Sequence, residues 1–239
     1  MNITGIIPAR YASSRLPGKP LLKIAGKPMI QWVYEQASKA KKLDRVIVAT
    51  DDQRIMDCVK GFGGSVVMTS AEHKNGTERI AEVAQKSESD AFINIQGDEP
   101  FIAPEQIDQI AALLESGAEI ATLVKQISAQ EEIQDTNTVK VVRSLSGKAL
   151  YFSRHPIPFY RNSSGEKVFW QHIGIYGFNK AVLAQLVQLP VSPLEKAESL
   201  EQLRWLENGY EIYTTVTNIS NISIDTELDL LQAQKLLKQ

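Results

Sequence analysis

The sequence lacks the marks of several large classes of protein. Cys58 is its single cysteine, so an internal disulfide is excluded and no cysteine-based zinc cluster can form. No apolar run approaches the ~20 residues that a membrane-spanning helix needs. The first residues run directly into a strand pattern, without the charged and apolar regions of a signal peptide. We therefore expect a soluble, cytoplasmic protein without a membrane partner.

An excess of positive charge is also missing. Lysine and arginine number 26 against 28 aspartates and glutamates, which gives a net charge of -2 at pH 7. A protein that binds nucleic acid generally carries a basic excess. We therefore expect no nucleic-acid partner, and we expect any binding of phosphate to be local.

The residues that are present suit a large α/β fold. Hydrophobic residues make up 43% of the chain and charged residues 23%, so a sizeable core is available. In the first half, the pattern predicts strands at 3–7, 45–50, 65–68 and 91–96, alternating with helices at 29–42, 52–60, 77–85 and 104–114. This alternation predicts a Rossmann-like, three-layered fold around a mostly parallel sheet. Ligands of such sheets bind beyond the carboxyl ends of the strands.

The second half has a different, β-rich pattern. Segments 139–143 and 149–153 flank a short polar loop and predict a β-hairpin, and 172–178 predicts a further strand. A helix is predicted over 193–206, ended by Asn208 and Gly209, and a last helix over 227–237. The simplest organisation is one domain, 1–239, with a β-rich lobe inserted at about 128–178.

The loop after the first strand concentrates groups that bind phosphate. Cations, short hydroxyls and a glycine occur within ten residues: Arg10, Ser13, Ser14, Arg15, Gly18 and Lys19. Polyphosphates need this combination of charge, donors and close backbone approach. A solvated basic turn is the alternative, but the predicted position at the ligand-binding edge argues against it. The loop is neither a Walker loop nor a dinucleotide fingerprint, which disfavours a P-loop ATPase and an NAD dehydrogenase.

This loop resembles the signature of the 3-deoxy-manno-octulosonate cytidylyltransferase family. The similar residues begin with Ile-Pro-Ala-Arg-Tyr-Ala-Ser-Ser-Arg-Leu-Pro-Gly-Lys-Pro-Leu, followed by Gly-Lys-Pro-Met at 26–29. Further matching segments cover nearly the whole chain in order: 49–51, 75–79, 94–100, 140–142, 149–154, 172–176, 192–195, 201–204 and 225–226. The loop alone is shared with other sugar nucleotidyltransferases, so the later segments carry the specific resemblance.

The resemblance implies a reaction and a nucleotide site. CMP passes from CTP to the anomeric hydroxyl of a 3-deoxy-octulosonate sugar, and pyrophosphate leaves, for lipopolysaccharide biosynthesis. The implied fold is that of the nucleotide-diphospho-sugar transferases, with a homodimer formed through the β-rich lobe. The implied catalytic residues are Arg15, Lys19 and Asp98. The implied nucleotide-binding residues are Ala9, Arg10, Ser13, Ser14, Arg15, Lys19, Lys74, Gly76, Thr77, Arg79 and Gln96.

Two aspartates are candidates for a Mg²⁺ site. Asp98 follows an apolar strand, where a carboxylate suits Mg²⁺, which takes its other oxygen ligands from phosphates and water. A turn with Asp98 capping the next helix is the alternative, and Asp225 could equally cap the last helix. The resemblance implies that Asp98 and Asp225 hold the metal together.

The sugar-binding residues follow from the resemblance alone. They are Arg161, Gln171, His172, Tyr176, Glu201 and Gln202. Without it, His172 and Tyr176 would be interpreted as core residues, Glu201 and Gln202 as the solvated face of an amphipathic helix, and Arg161 as a solvated arginine.

The chain departs from the family pattern beside this predicted pocket. Gln171 stands where arginine is usual, and Phe159-Tyr-Arg-Asn162 stands where Trp-Asp-Arg-Asp is usual. The loss of a cation beside the pocket predicts a change in the sugar that accepts CMP. That sugar is either 3-deoxy-manno-octulosonate (Kdo) or its 8-amino derivative. The remaining alternatives are a cytidylyltransferase for another acidic sugar and a non-catalytic nucleotide-binding protein on the same fold.

Overall fold

The apolar run that begins at Ile3 forms an inner strand of a sheet in the computed structural model, which describes residues 1–12, 16–162, 165 and 167–236. The strands are β1 Ile3–Ala9, β2 Lys23–Ile24, β3 Lys27–Pro28, β4 Arg45–Thr50, β5 Val66–Met68, β6 Ala91–Asn94, β7 Ile120–Gln126, β8 Lys140–Arg143, β9 Ala149–Ser153, β10 Trp170–Asn179 and β11 Ile212–Val216. The helices are α1 Met29–Ala37, α2 Gln53–Gly61, α3 Gly76–Gln85, α4 Pro104–Glu115, α5 Gln130–Gln134, α6 Lys180–Leu186, α7 Pro193–Glu198, α8 Gln202–Glu207 and α9 Glu227–Leu236.

The main sheet is mixed and mostly parallel, as predicted. Its strand order is β11-β7-β10-β6-β1-β4-β5. Strand β10 runs antiparallel to both of its neighbours in this order, β6 and β7, whereas β1 pairs in parallel with β4 and β6. The carboxyl ends of β1, β4 and β6 therefore meet at one edge of the sheet, together with the amino end of β10. This is the edge at which ligands bind in folds of this kind.

Helices cover both faces of the sheet and divide the core in two. One apolar cluster packs α1, α2 and α4 against one face, and the other packs α3, α6 and α8 with the hairpin against the opposite face. Strand β1 contributes to both, because Ile7 points to the first cluster and Ile6 to the second, following the alternation of side chains along a strand. The result is the three-layered α/β fold that the sequence predicts.

A smaller apolar cluster holds the last helix against the N-terminal loop. Its buried members are Leu16, Ile24, Met29, Ile224 and Ala233. Because Leu16 precedes Lys19 and Ile224 precedes Asp225, this packing brings the two ends of the chain to the ligand-binding edge. Within the described ranges, no helix is long and apolar enough to cross a membrane.

Strands β8 and β9 form the hairpin predicted from the sequence. Their pairing runs from Lys140 opposite Ser153 to Arg143 opposite Ala149, and β8 also pairs with β10. Two parts of the segment 128–178 therefore belong to the main sheet. Strand β10 is one of its strands, and the hairpin is joined to it through β10. Lys140 is fully buried there, and its ammonium donates to the carbonyl oxygens of Asp135, Thr138 and Arg154.

The prediction of one helix over 193–206 is wrong. Two helices occupy this segment, α7 and α8, because Ser199 adopts a left-handed conformation with φ 53° that interrupts the helical hydrogen bonding. Helix α1 also ends at Ala37 rather than near Lys42. Strands β7 and β11 and helix α6 were not predicted from the sequence.

Candidate functional site

A polar pocket of about 380 Å³ opens at the carboxyl edge of the sheet. It lies among the ends of β1 and β6, the loop that precedes α3, and the start of the segment that leads into α9. Its lining includes nine of the predicted site residues: Ala9, Arg10, Lys19, Lys74, Gly76, Arg79, Gln96, Asp98 and Asp225. Residues far apart in the sequence thus meet around one cavity. Ser13, Ser14 and Arg15 lie outside the described residues.

Lys19 joins the two predicted metal-binding aspartates. Its Nζ lies 2.8 Å from Asp98 Oδ2 and 3.1 Å from Asp225 Oδ1. Lys19 is placed by the turn at Gly18, which has φ 69° and packs under the ring of Tyr11. The side chains of Lys19 and Asp98 are 15% and 29% exposed, so their attraction is only partly screened by solvent.

Backbone contacts hold the two aspartates in place. The amide of Ile224 donates to the carbonyl of Asp98 at 2.9 Å, which fixes the start of the C-terminal segment beside the end of β6. Asp229 Oδ2 accepts hydrogen bonds from the amides of Asp225 and Thr226 at 3.0 and 2.8 Å. Burial opposes the charged form of Asp229, but a hydrogen bond from the Thr226 hydroxyl at 2.9 Å and the bonds from the two amides outweigh it and lower the pKa of Asp229.

The two aspartates suit a Mg²⁺ ion, which takes most of its ligands from phosphates and water, better than a metal ion whose ligands all come from side chains. Within the described ranges, no group of three or more His, Cys, Asp or Glu side chains could hold a metal ion. Mg²⁺ is usually bound through one or two carboxylates, with phosphates and water supplying the remaining ligands. A pair of carboxylates beside Lys19, in a pocket large enough for a nucleotide, fits that ligand set.

Gly97 has a steric role at the pocket floor. A Cβ atom on Gly97 would lie 2.8 Å from the carbonyl oxygen of Pro8. Backbone cannot yield as a flexible side chain can, so the loop after β6 approaches β1 this closely only because residue 97 is glycine. Gln96 lies just before it and donates from Nε2 to the carbonyl of Gly174 at 2.9 Å.

The loop in front of α3 is fixed by side chains of that helix. Asn75 Oδ1 accepts the amide of Glu78 at 2.8 Å, and the amide of Lys74 donates to Glu78 Oε2 at 2.8 Å. Arg79 is buried and donates to Asp51 Oδ2 at 2.8 Å and to Thr69 Oγ1 at 2.5 Å. Arg79 therefore lines the pocket while its guanidinium ties this loop to the end of β4.

His73 was missed by the sequence reasoning, although it immediately precedes the predicted segment from Lys74 to Arg79. It lines the pocket, and its Nε2 lies 2.7 Å from Glu82 Oε2. Glu82 also accepts the amide of Ser70 at 2.9 Å, and these bonds lower the pKa of its carboxyl to about 2. Glu82 on α3 thus anchors the loop 70–73 through Ser70 and His73. The only signal in the sequence was the spacing of four residues between Glu78 and Glu82, which places both on one face of the helix.

A second polar pocket of about 220 Å³ adjoins the first at the same edge. Gln171 and His172 line it together with Glu99, Lys125 and Asn221. Burial and the neighbouring charge of Asp98 raise the pKa of Glu99 to about 7, and a hydrogen bond from Asn221 opposes this. Desolvation lowers the pKa of His172 to about 3, so its imidazole is neutral at pH 7.

The remaining predicted sugar-binding residues have varied surroundings. Arg161 is exposed and Gln202 is buried at the start of α8. Tyr176 is buried with its ring against His172 and Trp205, and its hydroxyl has no hydrogen-bond partner among the described residues. Glu201 bonds to Asn75 and to Thr77, a predicted nucleotide-binding residue that lies behind the pocket wall.

Distant solved structures share the fold. A 4-diphosphocytidyl-2C-methyl-D-erythritol synthase from Anaerococcus prevotii superposes with a TM-score of 0.65 at 16% identity, covering 100% of this chain and 96% of that one. At this identity the likeness shows the fold alone.

Similar proteins at much higher identity point to one family. The Cytidylyltransferase family model matches residues 4–212. The 3-deoxy-manno-octulosonate cytidylyltransferases of Geobacter sulfurreducens and Cytophaga hutchinsonii are 46% and 50% identical, covering 100% and 97% of this chain and 100% and 96% of theirs. A CMP:2-keto-3-deoxy-manno-octonic acid synthetase, solved in complex with CTP, has a TM-score of 0.95 at 44% identity and covers 100% of this chain and 99% of that one. The chain therefore belongs to the 3-deoxy-manno-octulosonate cytidylyltransferase family of nucleotidyltransferases, as the sequence motifs predict.

Proposed function

We propose that this enzyme transfers CMP from CTP to the anomeric hydroxyl of Kdo and releases pyrophosphate. The observation that carries the proposal is the convergence of Lys19, Asp98 and Asp225 in a pocket that Arg10 and Lys74 also line. Such a pocket offers cations for phosphates and carboxylates for a metal ion. The likeness to a synthetase solved with CTP supports the choice of nucleotide.

The reaction is a displacement at phosphorus. The anomeric oxygen of the sugar forms a bond to the α-phosphorus of CTP, and the bond from that phosphorus to the bridging oxygen of pyrophosphate breaks. The proton of the hydroxyl passes to solvent. The protein's contribution to such a step is mainly positioning and neutralisation of charge.

Residues on three sides of the pocket would hold the nucleotide. Lys19, with Arg15 and the serines at 13 and 14, would bind the triphosphate, and Arg10 would lie near the nucleotide. The backbone at Ala9 and the segment from Lys74 to Arg79 would read the base. Three short segments from different parts of the sheet edge would thus share the recognition of CTP.

Asp98 and Asp225 would hold Mg²⁺. When bound, the ion supplies neutralisation of phosphate charge and a lower pKa for the attacking hydroxyl. In this structure Lys19 compensates the two carboxylates, which keeps both negative charges tolerable in a partly buried site. Replacing Lys19 by methionine would therefore remove both the triphosphate contact and this compensation.

The acceptor would be held beside the nucleotide by Gln96 and by the residues predicted for the sugar. Gln171 and His172 line a polar pocket that also contains Lys125, so a cation is present although Gln171 replaces the usual arginine. We propose the 8-amino derivative of Kdo as a second acceptor on the basis of that replacement. A strong preference for plain Kdo would contradict this part.

We propose a cytoplasmic homodimer assembled through the hairpin β8–β9. The family resemblance supports this assembly, and an interface at the hairpin would cover Leu145 at its tip, which is fully exposed, and Leu150 on β9, which is 61% exposed. Sedimentation of the purified protein would measure the assembly, and replacing both leucines by serine would give a monomer.

A coupled assay of pyrophosphate release tests the proposed reaction. CTP and UTP are each offered with Kdo, 8-amino-Kdo and a sialic acid, with and without Mg²⁺. Release that requires CTP, an octulosonate and Mg²⁺ together supports the proposal. Release with a sialic acid and not with an octulosonate would overturn it.

A further inference from the structure

Glu201 connects two parts of the molecule that are distant in the sequence. It lies immediately before α8, and its two carboxylate oxygens contact the N-terminus of α3. Oε1 accepts a hydrogen bond from Asn75 Nδ2 at 3.0 Å, and Oε2 accepts one from Thr77 Oγ1 at 2.9 Å. Both oxygens are therefore used inside the protein, on the nucleotide side of the site.

The first of these contacts fixes the side chain of Asn75 at both ends. Its Nδ2 donates to Glu201, and its Oδ1 accepts the amide of Glu78 at 2.8 Å as the cap of α3. A rotation of the amide would break both bonds. Since Lys74, Asn75 and Gly76 all line the nucleotide pocket, the conformation of this stretch of pocket wall depends on Asn75.

The second contact involves a buried hydroxyl. Thr77 is only 3% exposed, so its hydroxyl has little access to water and would be costly to leave without an acceptor. A carboxylate at the amino end of α3 also interacts favourably with the helix dipole. Glu201 thus supplies the acceptor that the buried hydroxyl of Thr77 requires.

We propose that Glu201 is a positioning residue for the nucleotide, which acts through Asn75 and Thr77 to hold the wall formed by Lys74, Asn75 and Gly76. The inference rests on the proposed function only in that this pocket binds CTP. It gives Glu201 a role different from the direct sugar contact that the family resemblance implies.

A double-mutant cycle on CTP binding tests the proposal. The dissociation constant of CTP is measured by calorimetry, without acceptor sugar, for the wild type, Glu201→Ala, Thr77→Val and the double variant. Loss of the carboxylate is expected to weaken CTP binding about tenfold. Because Glu201 acts partly through Thr77, the double variant is expected to bind CTP no more weakly than Glu201→Ala.

Two further variants keep the test decisive. Glu201→Gln retains one acceptor oxygen and is expected to lie between the wild type and Glu201→Ala, which covers the case that the alanine variant does not fold. Glu207→Gln makes the same change at an exposed position of α8 and is expected to bind CTP as the wild type does.

The outcomes separate this inference from the proposed function. Unchanged CTP binding in both Glu201 variants, or strictly additive effects of Glu201→Ala and Thr77→Val, would overturn the positioning role. A rise in the KM for Kdo with unchanged CTP binding would assign Glu201 to the sugar instead. Failure of the wild type to bind CTP would count against the proposed function.

Discussion

Lys19 Nζ lies 2.8 Å from Asp98 Oδ2, which ties the N-terminal loop to the end of β6. The same ammonium contacts Asp225 at the far end of the chain. Three segments of sequence therefore meet at one charge cluster, and the proposed chemistry depends on it.

Asp98→Asn tests the metal assignment. The substitution keeps the size of the side chain and removes its charge, so turnover is expected to fall at least ~100-fold, because even partners outside the ligand shell are worth 10- to 100-fold. CTP binding without sugar is expected to stay measurable. Steady-state kinetics measure the turnover and calorimetry measures the binding of CTP. Asp57→Asn, on the exposed face of α2, is the control. Normal turnover of Asp98→Asn would refute the assignment.

Gly97→Ala tests the close approach of two backbone segments. Its Cβ would lie 2.8 Å from the carbonyl oxygen of Pro8, so the loop carrying Asp98 must shift. We expect a loss of about 1–3 kcal/mol in the free energy of unfolding, as for other overpacked sites, together with weaker CTP binding. Urea denaturation measures the first effect.

Gly61→Ala is the matched control for that substitution. Gly61 ends α2, and nothing lies within 4 Å of an added Cβ. Alanine is expected to leave stability unchanged or raise it by up to ~1 kcal/mol. Equal behaviour of the two variants would show that the contact at Gly97 has no steric importance.

Lys140→Met tests the buried ammonium behind the hairpin. Lys140 is fully buried and donates to three backbone carbonyl oxygens, at 2.5 to 2.8 Å. Methionine would leave those acceptors without their donor, at an expected cost of about 2–4 kcal/mol in the free energy of unfolding. Thermal and urea denaturation measure it. Lys148→Met removes a surface ion pair with Glu211, which solvent screens, and is expected to destabilise the protein less than Lys140→Met does.

Much of the fold was predictable because hydrophobic periodicity is local. The strands β1, β4 and β6 and the hairpin β8–β9 are apolar runs bounded by turn residues, and each lies where the pattern predicts. The break at Ser199 was not predictable, since serine rarely adopts φ 53° and nothing in the local pattern indicates it. Strand β11 pairs with β7 from far along the chain, so its role is set by tertiary contacts.

The site was predictable where short motifs follow strands. Lys19 and Asp98 come directly from such motifs, and the structure brings both to one pocket. Glu82 and Glu201 act through other residues, and sequence spacing cannot show that a carboxylate faces a particular amide or hydroxyl. Roles of this kind require the three-dimensional contacts.

The difference in the free energy of unfolding between the wild type and Glu82→Gln is expected to depend on pH. Hydrogen bonds lower the pKa of Glu82 from 4.5 to about 2, so the unfolded chain binds the proton more readily than the folded one. The stabilisation by Glu82 is therefore complete above pH 4.5 and is lost as the pH falls towards 2. At pH 7 we expect the variant to be about 1 kcal/mol less stable than the wild type, after allowance for partial exposure.

Denaturation in urea at pH 7, 5, 4 and 3.5 would measure that difference. The gap between the wild type and Glu82→Gln is expected to narrow below pH 4.5. Glu88→Gln makes the same substitution at an exposed position and serves as the control. A gap that widens in acid would have the wrong sign for a carboxyl with a lowered pKa.

The most direct measurement is identification of the product by ³¹P NMR after incubation with CTP, Kdo and Mg²⁺. The proposed function predicts a CMP-Kdo phosphodiester signal that grows in equal amounts with pyrophosphate, and neither signal without sugar. Hydrolysis of CTP to CMP without a sugar adduct, or no reaction with any octulosonate, would contradict it.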